Sequence, residues 1–273
     1  VEILKSCGRL SERWRFKCED AIKARQHALA PDDADISPST NNVGNDHTTI
    51  DHAIDRETMV DIVLEGLGKP ANQMMPPGFF GSSEKIPMPE YSPAKSKKLL
   101  ADAGYSEGFE VDLYCTGDRL PGDAAICQGL GQMLTQVGIR TNVNAISKTV
   151  YFPAQARLDY SMFMNGWGTL TGEASYTLGG LAHSNNPEVK LGAYNRIEYE
   201  NSDVDRLLQT GARMMDATAR RATYEEAMEK VMEDKAYISI VQLQTVWGAK
   251  AGMLQFTPRF DEDTLAFFMK SAP

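Results

Sequence analysis

One segment of the sequence combines residue types that suit the binding of a small polar ligand. Its candidate ligand-binding residues are Asn165, Gly166, Trp167, Glu173 and Tyr176. Trp167 follows a short apolar run typical of a buried strand, so its indole is expected at the strand's carboxyl end, where α/β sheets bind ligands. An aromatic wall beside the carboxylate of Glu173 suits a free α-amino group, through stacking and a charge-assisted hydrogen bond. The alternative is structural: Trp167 closes the end of the domain and Glu173 is solvated.

Sequence motifs of the common enzyme classes are missing. The chain has no G-x-S-x-G nucleophile elbow, no P-loop, no G-x-G-x-x-G after a strand and no H-E-x-x-H pair. The best catalytic candidates are the neighbours His183 and Ser184, but adjacent residues rarely face each other, and a loop histidine is more often a surface residue. We therefore predict no catalytic residue and no enzyme, and a hydrolase ranks last among the functions considered.

The cysteines do not indicate a metal site. Cys7, Cys18, Cys115 and Cys127 form no C-x-x-C pair, and the chain has only 4 histidines to join them in a tetrahedral zinc site. Cys115 ends an alternating strand pattern and Cys127 lies in a helical one, so both are interpreted as small buried apolar residues. Cys7 and Cys18 could form a disulfide in an oxidising compartment or remain reduced. No metal and no cofactor is predicted.

The charge balance argues against nucleic acid as a partner. The chain of 273 residues has a net charge of −9 and a pI of about 5.0, and its basic residues are scattered. No apolar run reaches the roughly 18 residues that a membrane-spanning helix needs. The first residues lack a basic stretch followed by an apolar core, which predicts that this chain contains no signal peptide.

The elements that must position the Trp167 segment alternate between strand and helix. Strand patterns at residues 109–115, 139–146 and 160–164 are separated by helical patterns at residues 123–137 and 150–158. This order predicts an α/β fold, with a mixed sheet and covering helices.

Two segments depart from this alternation. Residues 1–44 are charged, weakly helical and then linker-like, so we predict an irregular N-terminal segment foreign to the fold. The Gly-rich stretch of residues 165–192 is predicted to be a long loop, which in a compact domain usually means function or disorder.

Several further segments resemble one known family in their order along the chain. They are Ala53-Ile54-Asp55-Arg56, Glu65-Gly66, Pro70-Ala71, Pro76, Tyr91-Ser92-Pro93-Ala94-Lys95, Leu99 through Tyr105, Gly108-Phe109, Gly138-Ile139, Asn165-Gly166-Trp167, Asn201 through Asp205, Asp216 and Arg220. Together they are similar to the C-terminal half of the oligopeptide/dipeptide-binding family of ABC-transporter solute-binding proteins, over about residues 45–273.

This resemblance implies a periplasmic-binding-protein type II (Venus-flytrap) fold, in which two α/β lobes close on a ligand. Residues 45–250 would form the second lobe, with the first lobe missing. Residues 251–273 would return toward that first lobe, and residues 1–44 remain unmatched.

The same resemblance implies the capture of short peptides in the periplasm for an ABC importer. The implied partners are a short peptide or similar small solute, an ABC permease in the full-length form, and a separate first-lobe chain as a further option. In relatives an Asp in the loop after the tryptophan often takes the peptide's amino terminus, and Glu173 here offers a longer side chain. Relatives also bind nickel complexes, haem, opines or sugars. A non-functional truncation product, poorly soluble through its exposed cleft face, is the alternative hypothesis.

Overall fold

The computed structural model describes residues 2–5, 41–248, 250, 253–257, 259 and 265–271. Its elements in chain order are β1 (Glu2–Lys5), α1 (Asn41–Ala53), α2 (Arg56–Thr58, continued by a π-helical turn, Met59–Val63), β2 (Gly68–Pro70), α3 (Pro93–Asp102), β3 (Phe109–Thr116), α4 (Asp123–Gln136), β4 (Ile139–Ile146), α5 (Lys148–Ala156), β5 (Met162–Asn165), α6 (Ala174–Leu181), α7 (Ser202–Gly211), α8 (Ala217–Glu233), β6 (Ile238–Ser239), β7 (Val241–Leu243), β8 (Leu254–Phe256), a 3₁₀ turn (Ala266–Phe268) and β9 (Met269–Ser271). Within these ranges, no helix has both the length and the apolar character to cross a membrane.

The main sheet contains both parallel and antiparallel neighbours. Its five described strands follow the order β4-β3-β5-β1-β6. β3 pairs in parallel with β4 and β5, whereas β1 runs antiparallel between β5 and β6. Two smaller antiparallel pairs join β2 with β7 and β8 with β9. The predicted mixed α/β sheet is therefore confirmed.

The structure differs from the sequence-based expectation in two places. Residues 2–5, expected to be irregular and foreign to the fold, form β1 inside the main sheet, because β5 and β6 supply backbone partners that sequence patterns do not show. Residues 6–40, with Cys7 and Cys18 and the disulfide considered for them, lie outside the described residues. Helix α6 occupies part of the expected loop, because Leu178 and Leu181 are buried against the core.

Apolar clusters cover both faces of the sheet around β5. Along β5, Met162 and Met164 join one cluster and Phe163 joins the other, which is the period-two alternation of a strand. Helix α4 adds Leu130 to the first cluster, and α7 adds Leu208 to the second. The sheet is thus the middle layer of three around β5, whereas β3 and β4 turn a polar face with Glu110, Arg140 and Asn142 toward solvent.

A buried ion network ties the first helices to the sheet. Arg56 is 4% exposed, and its Nε donates to the carbonyl oxygens of Ala71 at 3.1 Å and Ser239 at 2.9 Å. Its guanidinium also pairs with Asp51, which accepts a second hydrogen bond from Lys235 Nζ at 2.7 Å. Because removing one partner would leave a buried charge unpaired, this network strongly fixes α1 and α2 against β6.

Cys115 and Cys127 are fully buried, but they are joined in a disulfide. The interpretation of both as plain apolar residues was therefore wrong. Their Cα atoms lie 6.5 Å apart because α4 packs directly on β3. That distance allows the bond, and it arises only from tertiary packing.

Gly108 and Gly104 form a matched pair for testing how closely the backbone before β3 approaches the backbone before β4. Both Gly104 and Gly108 have positive φ, +88° and +70°, so an alanine at either should cost roughly 1–2 kcal/mol of unfolding free energy. A Cβ at Gly108 would also collide with the carbonyl oxygen of Gly138, whereas one at Gly104 meets nothing within 4 Å. We expect Gly108→Ala to lose a further ~1–3 kcal/mol relative to Gly104→Ala in urea titrations. Equal losses would contradict the close approach.

Candidate functional site

Three parallel strands have their carboxyl ends on the same side of the sheet, which is called the carboxyl edge of the sheet here. β3 ends at Thr116, β4 at Ile146 and β5 at Asn165. The carboxyl ends of parallel strands are where open α/β sheets bind ligands, because the loops leaving them diverge there. The loop of residues 117–122 comes directly after β3, and it contacts the chain segments that leave β4 and β5.

One buried carboxylate holds that loop. Asp123 is 3% exposed and accepts hydrogen bonds from Thr116 Oγ1 at 2.8 Å and from the backbone N–H groups of Arg119 at 3.0 Å and Leu120 at 3.1 Å. Its second oxygen accepts from the N–H of Ala124 at 2.8 Å. The first turn of α4 and the end of β3 therefore fix the loop between them.

Asp118 ties the loop to the start of α5. Its carboxylate accepts from the backbone N–H of Lys148 at 2.7 Å and from Ser147 Oγ at 3.0 Å. The hydrogen bond from the Lys148 backbone is the main cause that lowers the pKa of Asp118, since it stabilises the charged form. The loop is thereby bound to the connection between β4 and α5.

Arg119 brings a positive charge to this edge. Its Nη1 donates to the carbonyl oxygen of Gly166 at 2.6 Å and lies 3.4 Å from Asn165 Oδ1, while its guanidinium carbon lies 5.3 Å from the ring centre of Phe152. Burial lowers the pKa of Arg119, although an arginine remains charged at neutral pH. Among the described residues, no carboxylate forms an ion pair with it. Such a half-buried cation suits the carboxylate of a ligand.

Trp167 lies beside this charge in a group of aromatic rings. Its ring centre is 5.5 Å from that of Tyr176 and 5.2 Å from that of Tyr194. Within the described part of the chain, the buried indole N–H has no hydrogen-bond partner. The structure therefore brings the predicted residues Asn165, Gly166, Trp167 and Tyr176 to the same end of β5. Their binding of a ligand stays a prediction.

Glu173, the predicted acceptor for a ligand's ammonium group, already has a cationic partner. Arg220 Nη2 lies 3.3 Å from Glu173 Oε2, and the Arg220 guanidinium lies 5.0 Å from the ring centre of Phe80. Two backbone hydrogen bonds also join Phe80 to the start of α6. The N–H of Phe80 donates to the carbonyl oxygen of Gly172, and the carbonyl oxygen of Phe80 accepts from the N–H of Ala174. An incoming ammonium group would have to compete with Arg220 for the Glu173 carboxylate.

Two residues of this site carry no recognisable motif. Arg119 lies in a connection rich in Gly and Pro, and its only signal is its position directly after a predicted strand of alternating pattern. Tyr194 reaches Trp167 because its N–H donates to the carbonyl oxygen of Gly180 at 2.9 Å. No spacing rule predicts a contact of that kind.

His183 is buried rather than on the surface, where it was expected. It is 1% exposed, with Nδ1 2.6 Å from the carbonyl oxygen of Ser184 and Nε2 3.0 Å from the side-chain nitrogen of Gln209. Asp205 Oδ1 also lies 3.5 Å from Nδ1, so backbone, amide and carboxylate groups surround the buried ring, as in a structural histidine. Across the described ranges, no group of three or more His, Cys, Asp and Glu residues is placed to hold a metal ion.

Comparison with models of protein families shows which family the chain belongs to. The model of the bacterial extracellular solute-binding proteins, family 5 Middle, matches residues 48–188, which are 141 of the 273 residues. The chain belongs to this family. The matched range contains the loop of residues 117–122 and every predicted ligand-binding residue.

The curated relatives of this family 5 chain include glutathione-binding proteins. The chain is 29% identical over 198 residues to the glutathione-binding protein GsiB of Salmonella choleraesuis (strain SC-B67), and 29% identical over 197 residues to GsiB of Escherichia coli (strain K12). Each alignment covers 70% of this chain and 38% of the relative. The chain therefore spans well under half the length of the curated relatives it matches.

Solved structures show the same fold. The periplasmic binding protein DppA from Helicobacter pylori, in complex with the peptide STSA, superposes with a TM-score of 0.66 at 24% identity, over 75% of this chain and 39% of that chain. HbpA2 from Haemophilus parasuis superposes with a TM-score of 0.69 at 21% identity. This match covers 86% of this chain and 46% of HbpA2. The expected type II fold is confirmed for this family 5 chain, over a share of the longer proteins that corresponds to one lobe. The boundaries at residues 44 and 250 stay predictions.

Gly166 and Gly168 form a matched pair for testing the contact between β5 and the Arg119 loop. A Cβ at Gly166 would collide with the end of the Leu120 side chain and lie 3.3 Å from Arg119 Nη1, whereas one at Gly168 meets nothing within 4 Å. Because the Leu120 side chain can turn into a less favourable rotamer, we expect Gly166→Ala to lower the free energy of unfolding by about 0.5–1.5 kcal/mol, and Gly168→Ala to change it by less than about 0.5 kcal/mol. Urea titration measures both. A harmless Gly166→Ala would show that the Leu120 side chain can turn aside without cost.

Proposed function

We propose that this chain is the solute-binding lobe of a periplasmic protein that delivers short peptides to an ABC importer. The observation that carries the proposal is Arg119, a half-buried cation at this edge of the sheet whose guanidinium forms no ion pair among the described residues. Membership of the family supports solute binding in general. The relatives' names support the substrate class, since they refer to glutathione, to the peptide STSA and, for a protein from Pseudoalteromonas, to Met-Leu.

In this proposal the peptide's carboxylate binds Arg119. A carboxylate accepts two parallel hydrogen bonds from a guanidinium, and the partly dry surroundings strengthen the attraction. Trp167 and Tyr194 provide an aromatic wall for the peptide's apolar atoms. Because Arg220 already neutralises Glu173, the ammonium end contributes less to binding on this lobe. Glutathione suits a site that binds carboxylate more strongly than ammonium, since it has two carboxylates and one ammonium group.

The remaining parts of the proposal concern the surroundings of the lobe. The opposite wall of the cleft comes from a first lobe, in the same protein or in a separate chain, and residues 251–273 lead toward it. A permease would contact both lobes together, so one lobe alone would not support transport. The disulfide between Cys115 and Cys127 supports an oxidising compartment such as the periplasm.

Isothermal titration calorimetry of the purified chain tests the function. We expect reduced glutathione and trialanine to bind with micromolar dissociation constants. Arg119→Gln should weaken both by about ten- to hundredfold, because a charge-assisted hydrogen bond is lost. Arg157→Gln is the matched control, since Arg157 is exposed and pairs with Asp159. Failure of the unaltered chain to bind either peptide at millimolar concentration would contradict peptide binding by this lobe.

A change in the ligand tests the role of Arg119 separately. Trialanine amide lacks the carboxylate, so it should bind the unaltered chain about ten- to hundredfold more weakly than trialanine. In Arg119→Gln the two ligands should bind alike, because the partner of the carboxylate is gone. A preference for the free acid that persists in this variant would assign the carboxylate to another residue.

A further inference from the structure

The disulfide closes the loop that carries Arg119. Cys115 is the last residue but one of β3, and Cys127 lies in the second turn of α4. The bond spans a sequence separation of 12, and both residues are fully buried. Everything between β3 and the body of α4 is therefore part of one covalent ring.

That ring reaches both neighbouring strands through its outermost residues. Asp118 binds the backbone of Lys148 after β4, and Arg119 binds the carbonyl oxygen of Gly166 after β5. The position of the loop relative to β3 therefore sets where the guanidinium stands against the end of β5. Inside the ring, the hydrogen bonds of Asp123 hold the loop, and the disulfide anchors α4, which carries Asp123, to β3.

We propose that Cys115 and Cys127 are positioning residues for solute binding, since their disulfide keeps the Arg119 loop in the arrangement that receives the ligand's carboxylate. This inference rests on the proposed function. A loop that is already ordered loses little freedom when the ligand binds, which improves affinity without any new contact. Without the bond, α4 can shift on β3, and part of the binding free energy is then spent in restoring the loop.

The first experiment compares the Cys115→Ala/Cys127→Ala double variant with Leu134→Ala. Leu134 is fully buried on the same helix but outside the ring, so its truncation lowers stability without freeing the loop. We expect the double variant to bind trialanine about five- to thirtyfold more weakly, and Leu134→Ala to stay within about twofold of the unaltered chain. Equal weakening in both variants, or none in the double variant, would overturn the proposal.

A combination with Arg119→Gln separates positioning from general structural support. If the disulfide acts through Arg119, removing it from the Arg119→Gln chain should cause almost no further loss of trialanine affinity. The same loss in both backgrounds would mean that the disulfide acts elsewhere, and the inference would fail.

Amide hydrogen exchange provides a readout that needs no ligand. The unaltered chain is reduced with a phosphine, and loss of the bond is confirmed by mass. We expect the amides of residues 117–120 to exchange at least about tenfold faster, while those of residues 130–134 in α4 keep their protection. Unchanged exchange in the loop would overturn the inference even where the double variant does not fold. If the unaltered chain binds no peptide but the loop loosens on reduction, the proposed function fails and the disulfide's hold on the loop stands.

Discussion

The carboxylate of Asp123 is the group on which the arrangement of the candidate binding edge depends. It is buried at the first turn of α4 and accepts from the end of β3, from two backbone N–H groups of the loop after β3 and from its own helix. A buried carboxylate is tolerated only when its oxygens are satisfied in this way, so the loop must pass over α4 along one path. The path in turn places Asp118 against α5 and Arg119 against the end of β5, which connects three strand ends in one structure.

The charges at this edge are arranged unequally. Arg119 bonds to a carbonyl and a side-chain amide oxygen and forms no ion pair within the described residues, with the carboxylate of Asp123 acting on it only at longer range, whereas Glu173 is paired with Arg220. The sequence assigned recognition to the carboxylate of Glu173, which stays a prediction, and it did not show that this carboxylate has a cationic partner. The pairing has a simple physical origin. Glu173 and Arg220 are far apart in sequence and meet only because α6 and α8 pack together, with Phe80 between them.

The relation to longer proteins fits the architecture of the chain. Glutathione-binding relatives and peptide-bound periplasmic proteins match it over about two fifths of their own length. The matching part has two apolar clusters, one on each side of β5. In the proposed function a ligand at the strand ends would be covered on one side by this chain, and the remaining part of the longer protein would supply the other side.

Sequence alone determined the class of the fold, because local periodicity is strong at β3, α4, β4 and β5, and because the order of short segments such as Ala53-Ile54-Asp55-Arg56 identified the family. It also indicated Trp167 and its neighbours, since they come directly after a buried strand. Packing decided the rest. The strand β1, the bond between Cys115 and Cys127, the burial of His183, the pairing of Glu173 with Arg220 and the contact of Arg119 with Gly166 all depend on contacts between residues distant in sequence. Periodicity and spacing describe only how a residue relates to its near neighbours, so they contain no information about such contacts.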